Sequence, residues 1–451
     1  MKLFENKKPV TKIRGVHLDL KGMPPTETQF LRLLDYFKEL RLNCVLIEWE
    51  DMYPWKLHPE FRNSTAYTEK EVDTFLSRAE KNGIEVIPLV QSYGHLETVL
   101  SKPKFRHMRE MPDIVSEICP CKKGAQEVVV DLVRDVLRTH EGRIKYFHIG
   151  GDEAWSLGTC PQCKAFVKKY GKGELYLKQL TPALDYAISK GVRPILWDDM
   201  MRHWTVADVK KIAKKADLMA WTYQGEVYSR IKPEMFELFK KGGVTLWGAG
   251  AYRGAIGPFA DVTHEHVHAE NMLSWTKLVK KHNFTGIVAT GWARYSTFIV
   301  PCETNESCLA SLALTSKIMW DGKYKKDDVE KVKGFVSKGF AGKNIASIYL
   351  RCRHASEEMA KWRSTMASCF FCLTYLAMLA GEPGRIDIHK HKERLLRLKN
   401  TLEKRKALAV LFTSAYIGLI PAIWIKNYLT SRFLPELHHA AMCFSKKKTV
   451  L

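Results

Sequence analysis

The string KYFHIGGDEAW at residues 145–155 ends a short apolar run in two glycines and two adjacent acids, Asp152 and Glu153. Successive side chains of a strand point to opposite faces, so these two acids are not expected to flank one bond as an opposed acid and nucleophile. They need separate tasks. Gly150 and Gly151 carry no Cβ, which lets the backbone bend and a ligand come close. The pattern suits a reaction in which one acid moves a proton while its neighbour holds a part of the substrate that itself takes part. Hydrolysis of a glycosidic bond beside a C2 acetamido group is such a case, because the acetamido oxygen can attack the anomeric carbon and the protein need supply only one acid–base. Glu153 would then be the acid and afterwards the base, and Asp152 would orient the acetamido nitrogen. Burial among aromatic rings is expected to raise the Glu153 pKa towards working pH.

Two other chemistries compete. A metal-dependent barrel hydrolase would use Asp152, Glu153, Asp198 and His95 as ligands around an open coordination position, and chelation would abolish its activity. No H-x-H or H-x-x-x-H pair sits at a strand end, and HEHVH at 264–268 reads as a solvated face. A non-catalytic sugar-binding barrel would keep binding after Glu153→Gln. Cysteines form a further set: ICPCKK supplies Cys119 and Cys121, and TCPQCK supplies Cys160 and Cys163 just beyond the acid pair. These four thiolates have the count and softness for a closed, tetrahedral, structural zinc site that pins the segment behind the acids.

Placing these groups is the work of a regular alternation. From residue 13 onward, short runs rich in Val, Ile, Leu and aromatics alternate with stretches of helical periodicity, the pattern of a parallel sheet with crossover helices. Eight runs qualify: IRGVHLDLKG, NCVLIEWED, EVIPLVQSYGH, KYFHIGGDE, RPILWDD, LMAWTYQ, VTLWGAGAY and GIVATGWARY. Two of the intervening stretches, TETQFLRLLDYFKELR and TEKEVDTFLSRAEKNG, open with Thr followed three residues later by Gln or Glu, as in a capping box. Eight such units predict an α/β fold, a (β/α)8 TIM barrel over residues 1–322, with the chemistry at the C-terminal ends of the strands. Those ends offer Asp19, Lys21, His95, the acid pair, Asp198, Asp199, Tyr223 and Tyr252. Trp197, Trp221, Trp247 and Trp292 recur near them, as a pocket for the apolar face of a ring would require. Residues 323–451 read as helical throughout, an extension packed on the barrel or used for self-association.

The chain has 451 residues, 46% of them hydrophobic and 27% charged, as in ordinary globular proteins. Its net charge of +22 is spread along the sequence instead of being clustered with aromatics, which argues for a basic surface and against a nucleic-acid module. The start, MKLFENKKPVTKIRG, contains no apolar stretch, so a cytoplasmic protein is expected, with its 11 cysteines as thiols or metal ligands. The uncharged residues 407–425 reach the minimum length of a membrane span, but Thr413, Ser414, Gly418 and Pro421 predict a buried, broken helix pair instead.

HIGGDE resembles the His-x-Gly-Gly-Asp-Glu signature of glycoside hydrolase family 20, the β-N-acetylhexosaminidases. VHLDLKGMPP, VQSYGHLE, ILWDDM and TGWARY with its following CE extend the resemblance over residues 12–320, towards the hexosaminidase D-like branch. It implies a retaining enzyme that removes terminal β-linked GlcNAc or GalNAc with no cofactor for catalysis. Its partners would be oligosaccharides or glycoconjugates, with neither nucleic acid nor membrane involved and a homodimer as one expected assembly. Asp152 and Glu153 match the catalytic pair, and His95 the Gly-His position beside it. Trp197, Trp221 and Trp292 match the aromatic walls, Tyr252 the hydroxyl that contacts the acetamido oxygen, and Asp19 the group that holds sugar hydroxyls. This chain has Lys21 and WAR where better known members carry an Arg and Trp-x-Glu, so Arg294 or Glu303 is expected to take over hydroxyl recognition.

Overall fold

The computed structural model describes residues 2–257, 260–379 and 392–444. Eight parallel strands close into a barrel in sequence order. They are β1 (Ile13–Asp19), β2 (Cys44–Glu48), β3 (Glu85–Leu89), β4 (Tyr146–His148), β5 (Arg193–Trp197), β6 (Asp217–Trp221), β7 (Leu246–Arg253) and β8 (Gly286–Gly291). β8 returns to β1 with Ile13 opposite Gly286 and Val16 opposite Ala289, so the sheet has no free edge. All eight predicted runs are strands.

Alternation along each strand sorts the core into two layers. Leu46, Leu89, Ile195, Trp197, Met219, Ala249 and Val288 fill the barrel interior. The residues between them, among them Val45, Ile47, Leu196, Leu218 and Ile287, face the surrounding helices. The predicted caps hold those helices in place. Thr26 accepts a bond from the Gln29 amide at the start of Glu27–Glu39, and Thr68 and Glu71 bond each other's amides at the start of Glu69–Lys81. Removing a cap such as Thr68 costs a helix about 1 kcal/mol.

The C-terminal helices lie on the barrel. Helix Arg405–Tyr416 breaks before Pro421 and is followed by Ala422–Phe444, with Phe412, Tyr416, Leu419, Ile420 and Trp424 buried. Thr26 donates to the carbonyls of Gly418 and Leu419, Trp424 donates to Thr65, and Arg432 pairs with Asp261 at 2.6 Å. These contacts brace segments that follow β1, β2 and β7. Among the described residues no helix is long and apolar enough to cross a membrane. The predicted helical stretches at 355–381 and 390–410 each run partly into residues 380–391, which lie outside the described residues.

Candidate active site

Strand β4 stops at His148. Beyond it Gly150, Gly151 and Glu153 all have positive φ, at 59°, 89° and 48°. The acid pair therefore sits on a tight turn, where the alternation of a strand no longer applies. Both carboxylates reach one atom: Asp152 Oδ2 lies 3.4 Å and Glu153 Oε2 3.3 Å from His95 Nε2. His95 is itself left-handed, with φ 56°, and a Cβ added to the preceding Gly94 would stand 2.3 Å from the Asp152 carbonyl oxygen. Only glycine allows the two segments to meet this closely. Non-glycine residues held at positive φ mark places where the surrounding structure overrides local preference, as at functional sites.

This contact reverses the electrostatic expectation for Glu153. The bond from His95 lowers the Glu153 pKa below the usual carboxylate value, outweighing partial burial. Burial opposes the imidazolium, yet the Asp152 charge and the bonds to both acids hold the His95 pKa well above its ordinary value. Asp152 Oδ1 is buried and accepts no hydrogen bond from the protein. Behind the pair stands Asp199, whose Oδ2 accepts from the Glu153 amide at 3.0 Å and whose Oδ1 accepts from Trp221 Nε1 at 3.2 Å. Burial, with Asp152 and Asp198 nearby, pushes its pKa up to about 7.

Three of the four tryptophans line this site. Trp197 is fully buried against His148 and Trp292, and Trp292 also meets the edge of His17 at 4.7 Å. Trp221 is stacked with Tyr223, their centroids 5.1 Å apart, and Tyr223 in turn approaches Trp292. Trp247 does not join them. It is the second residue of β7, at the opposite end of the barrel, where its indole donates to Asp217.

Asp198 turns away from the acid pair. Both its oxygens bind Arg202 at 2.8 Å; the Trp221 amide donates to Asp198 and Arg202 donates to the Trp221 carbonyl. The pair clamps one aromatic wall, so the four-ligand set His95, Asp152, Glu153 and Asp198 is not assembled.

Tyr252 is a second correction. On β7 the inward positions are odd-numbered, as Trp247 and Ala249 show. Tyr252 lies at the register irregularity between Ala251 and Arg253 and packs into the outer layer, where its hydroxyl donates to Asn305 at 2.8 Å. Burial raises its pKa to about 12. The phenol beside the acids is Tyr223, whose pKa is raised first by burial and then by Asp152 and Glu153. Its signal was available, since Tyr223 lies two residues beyond inward-facing Trp221.

A charged network gathers at the ends of β1, β2 and β3, and Gln91 of this network stands against the turn that carries the acids, where a Cβ on Gly150 would meet its Oε1 at 2.1 Å. Lys21 Nζ lies 2.5 Å from Glu48 Oε1 and 3.6 Å from Asp19, while Gln91 donates to the same Glu48 oxygen and His17 Nε2 lies 3.2 Å from the other. Burial opposes the Lys21 cation, but Asp19, Glu48 and Glu50 hold its pKa above the ordinary lysine value. Burial would raise Glu48 too; Lys21 and His17 overcome it and keep Glu48 below the carboxylate range. Glu50 behaves differently, pushed well up by burial and by Glu48 and Glu97, although Lys21 works against the rise. Asp19 spends both oxygens on backbone amides, those of Lys21 and Ala293, and so joins the ends of β1 and β8. Arg294 lies over Trp424 of the C-terminal helices and donates to the Thr297 carbonyl. Glu303 is buried and accepts from the Gly254 amide.

The cysteines converge only in part. Cys119 Sγ lies 3.5 Å from Cys160 Sγ and 3.4 Å from Cys163 Sγ. Cys121 stays outside, half-buried, and Glu110 takes its place: all four donor atoms of Glu110, Cys119, Cys160 and Cys163 fall within 4.8 Å of one another. Glu110 lacks a sequence signal because the antiparallel bridge between Arg109 and Ile118 is what folds it back beside Cys119. HEHVH also departs from expectation, since His268 is fully buried and burial lowers its pKa to about 3.

Comparison with known proteins gives the family of the chain. The catalytic-domain model of glycosyl hydrolase family 20 matches residues 13–234. Hexosaminidase D of Bos taurus is 30% identical over 335 residues, covering 72% of this chain and 96% of that protein. Hexosaminidase D of Homo sapiens is 30% identical over 340 residues, covering 72% of this chain and 69% of that protein. Among solved structures, Flavobacterium johnsoniae chitobiase superposes with a TM-score of 0.56 at 17% identity, over 97% of this chain and 74% of its own. An exo-β-N-acetylglucosaminidase of Vibrio harveyi in complex with N-acetylglucosamine gives 0.53 at 18%, over 73% of this chain and 57% of its own, and both likenesses carry the barrel fold.

Proposed function

Because the chain belongs to glycosyl hydrolase family 20 and is a β-N-acetylhexosaminidase, we propose that it removes single terminal β-linked GlcNAc or GalNAc residues with the substrate's own acetamido group as nucleophile. Glu153 gives its proton to the leaving oxygen while the acetamido carbonyl oxygen bonds to C1 and the bond to the aglycone breaks. The cyclic cation so formed carries its charge partly on nitrogen, and its N–H is held by Asp152. Glu153, now a carboxylate, takes a proton from water as that water attacks C1 and reopens the ring. The product keeps the β configuration.

One observation carries this reading: Asp152 Oδ2 is turned to His95 while Oδ1 is buried without a partner. Buried acceptors are nearly always satisfied, and a substrate N–H would satisfy this one. A single Nε2 proton can point at only one of the two acids. When it bonds Asp152, Glu153 loses the contact that lowers its pKa and is able to hold the proton it must donate. Tyr223, beside the acids, donates to the acetamido oxygen, and Trp197, Trp221 and Trp292 form the apolar walls.

The catalytic unit comprises residues 1–322, braced by the described helices within 323–379 and 392–444. Zinc enters this account as a structural ion of the cysteine cluster. The buried thiols Cys44, Cys302, Cys308 and Cys352 are in keeping with a reducing, cytoplasmic setting. Following the anomer released from a β-linked substrate by NMR tests the scheme: β product first is expected, and α product first would exclude it.

A further inference from the structure

We propose that Cys119, Cys160, Cys163 and Glu110 form a closed zinc site that clasps the His95-bearing segment to the segment carrying Asp152 and Glu153. Zinc–sulfur bonds of about 2.3 Å at tetrahedral angles set ligand sulfurs about 3.8 Å apart. The observed separations of 3.5 Å and 3.4 Å are close to that spacing and far from the 2.05 Å or so of a disulfide. Cys163 Sγ also lies 3.3 Å from Glu110 Oε2, which brings the carboxylate to the fourth corner.

The surroundings of Glu110 add a second observation. Its residue is only 3% exposed, and among the described residues it makes no ion pair with a basic side chain. Its other oxygen, Oε1, accepts from the amides of Thr159 and Cys160 at 2.9 Å and 3.0 Å, which fixes Oε2 towards the thiols. Among the described residues Oε2 accepts only from the Cys163 thiol, at 3.3 Å, so the buried negative charge has hydrogen bonds but no cation beside it, and a metal ion among the sulfurs would supply one. The backbone already serves the anionic form of the sulfurs, since the Cys163 amide points at Cys160 Sγ at 3.3 Å. Soft thiolates with one carboxylate and no open position suit a structural zinc ion, and its binding releases the three thiol protons.

Placement gives the ion its task. Glu110 and Cys119 follow β3 on the segment that begins with His95; Cys160 and Cys163 follow β4 on the segment that begins with the acid pair. Glu117 ties the same two segments nearby, accepting from the Ser156 amide and hydroxyl at 2.7 Å each. The ion thus positions His95 without touching substrate.

The test is metal content by plasma mass spectrometry on full-length protein produced with zinc in the medium, for wild type, Cys121→Ser and Glu110→Ala. One zinc per chain is expected in wild type and in Cys121→Ser, with Glu110→Ala falling well below one. Absence of zinc from wild type overturns the site. Full occupancy in Glu110→Ala with loss in Cys121→Ser overturns the ligand set in favour of four thiolates. Should Glu110→Ala fail to fold, cobalt-exchanged wild type decides: a sulfur-to-cobalt charge-transfer band weaker than that of a four-thiolate standard is expected, and one of equal strength overturns Glu110. Metal content is read whether or not the protein turns over sugar, so failure here leaves the glycosidase reading untouched, and the reverse also holds.

Discussion

The pair Asp198 and Arg202 should act as one unit that holds Trp221 in the pocket wall. Asp198 is fully buried and the Arg202 side chain is 16% exposed, joined through two bonds of 2.8 Å. Arg202→Met leaves a buried carboxylate with only the Trp221 amide for company. That carboxylate can take up a proton instead, and neutralising an acid of reference pKa about 3.9 at pH 7 costs about 4 kcal/mol, which sets the ceiling. Asp198→Asn strands an arginine that still touches solvent, so its cost is about 2–3 kcal/mol. The double variant D198N/R202M leaves no charge behind, and a double-mutant cycle should give a coupling of about 2–3 kcal/mol. Denaturant midpoints supply the stabilities. Kinetics on p-nitrophenyl β-N-acetylglucosaminide supply the second readout: because the pair binds both the N–H and the carbonyl of Trp221, each single variant should raise KM several-fold with a smaller fall in kcat. Additivity within about 0.5 kcal/mol would refute the coupling. An unchanged KM in destabilised variants would refute the clamp.

Three further outcomes follow from the same geometry. Asp199 has a folded pKa of about 7, above the value of about 3.9 in an unfolded chain, so the native state keeps a proton the unfolded state has lost and stability falls as pH rises between them. Asp199→Asn should therefore be more stable than wild type by about 3 kcal/mol at pH 8 and less stable by about 0.5–1 kcal/mol near pH 4, where the lost hydrogen bond dominates; parallel calorimetric pH profiles would contradict this. In His95→Asn the catalytic proton must reside on Glu153 alone and not on the pair, so the basic limb of kcat/KM should move to lower pH, and an unmoved limb would remove His95 from proton storage. Tyr223→Phe should lower kcat/KM by about 10- to 100-fold, whereas Tyr252→Phe should leave it within about twofold and cost about 1 kcal/mol of stability; the opposite ranking would return Tyr252 to the site.

The barrel was legible because its strands carry their own punctuation: apolar runs ending in Asp19, Glu48, His148 or Trp197, and helices opening on Thr26 and Thr68. The acid pair was legible for the same reason, as residues just past a strand end. What escaped depends on backbone geometry that spacing does not encode. Glu153 meets His95 only because three left-handed residues follow β4, and that contact reverses the pKa expected from burial. Tyr252 sits where β7 slips register between Ala251 and Arg253, an irregularity that spacing does not announce, and it packs into the outer layer. Trp247 was misplaced by the length of β7, whose eight residues put it at the far end of the barrel. Glu110 joined the cysteines through a bridge between residues nine positions apart, Arg109 and Ile118.

In the proposed reaction the nucleophile belongs to the substrate. Release of p-nitrophenol from the β-N-acetylglucosaminide, the β-N-acetylgalactosaminide and the plain β-glucoside, by wild type and by Glu153→Gln, tests it most directly. Turnover of the acetamido sugars alone is expected, reduced by about 10²- to 10⁴-fold in the variant. Comparable turnover of the plain glucoside would put the nucleophile on the protein and contradict it.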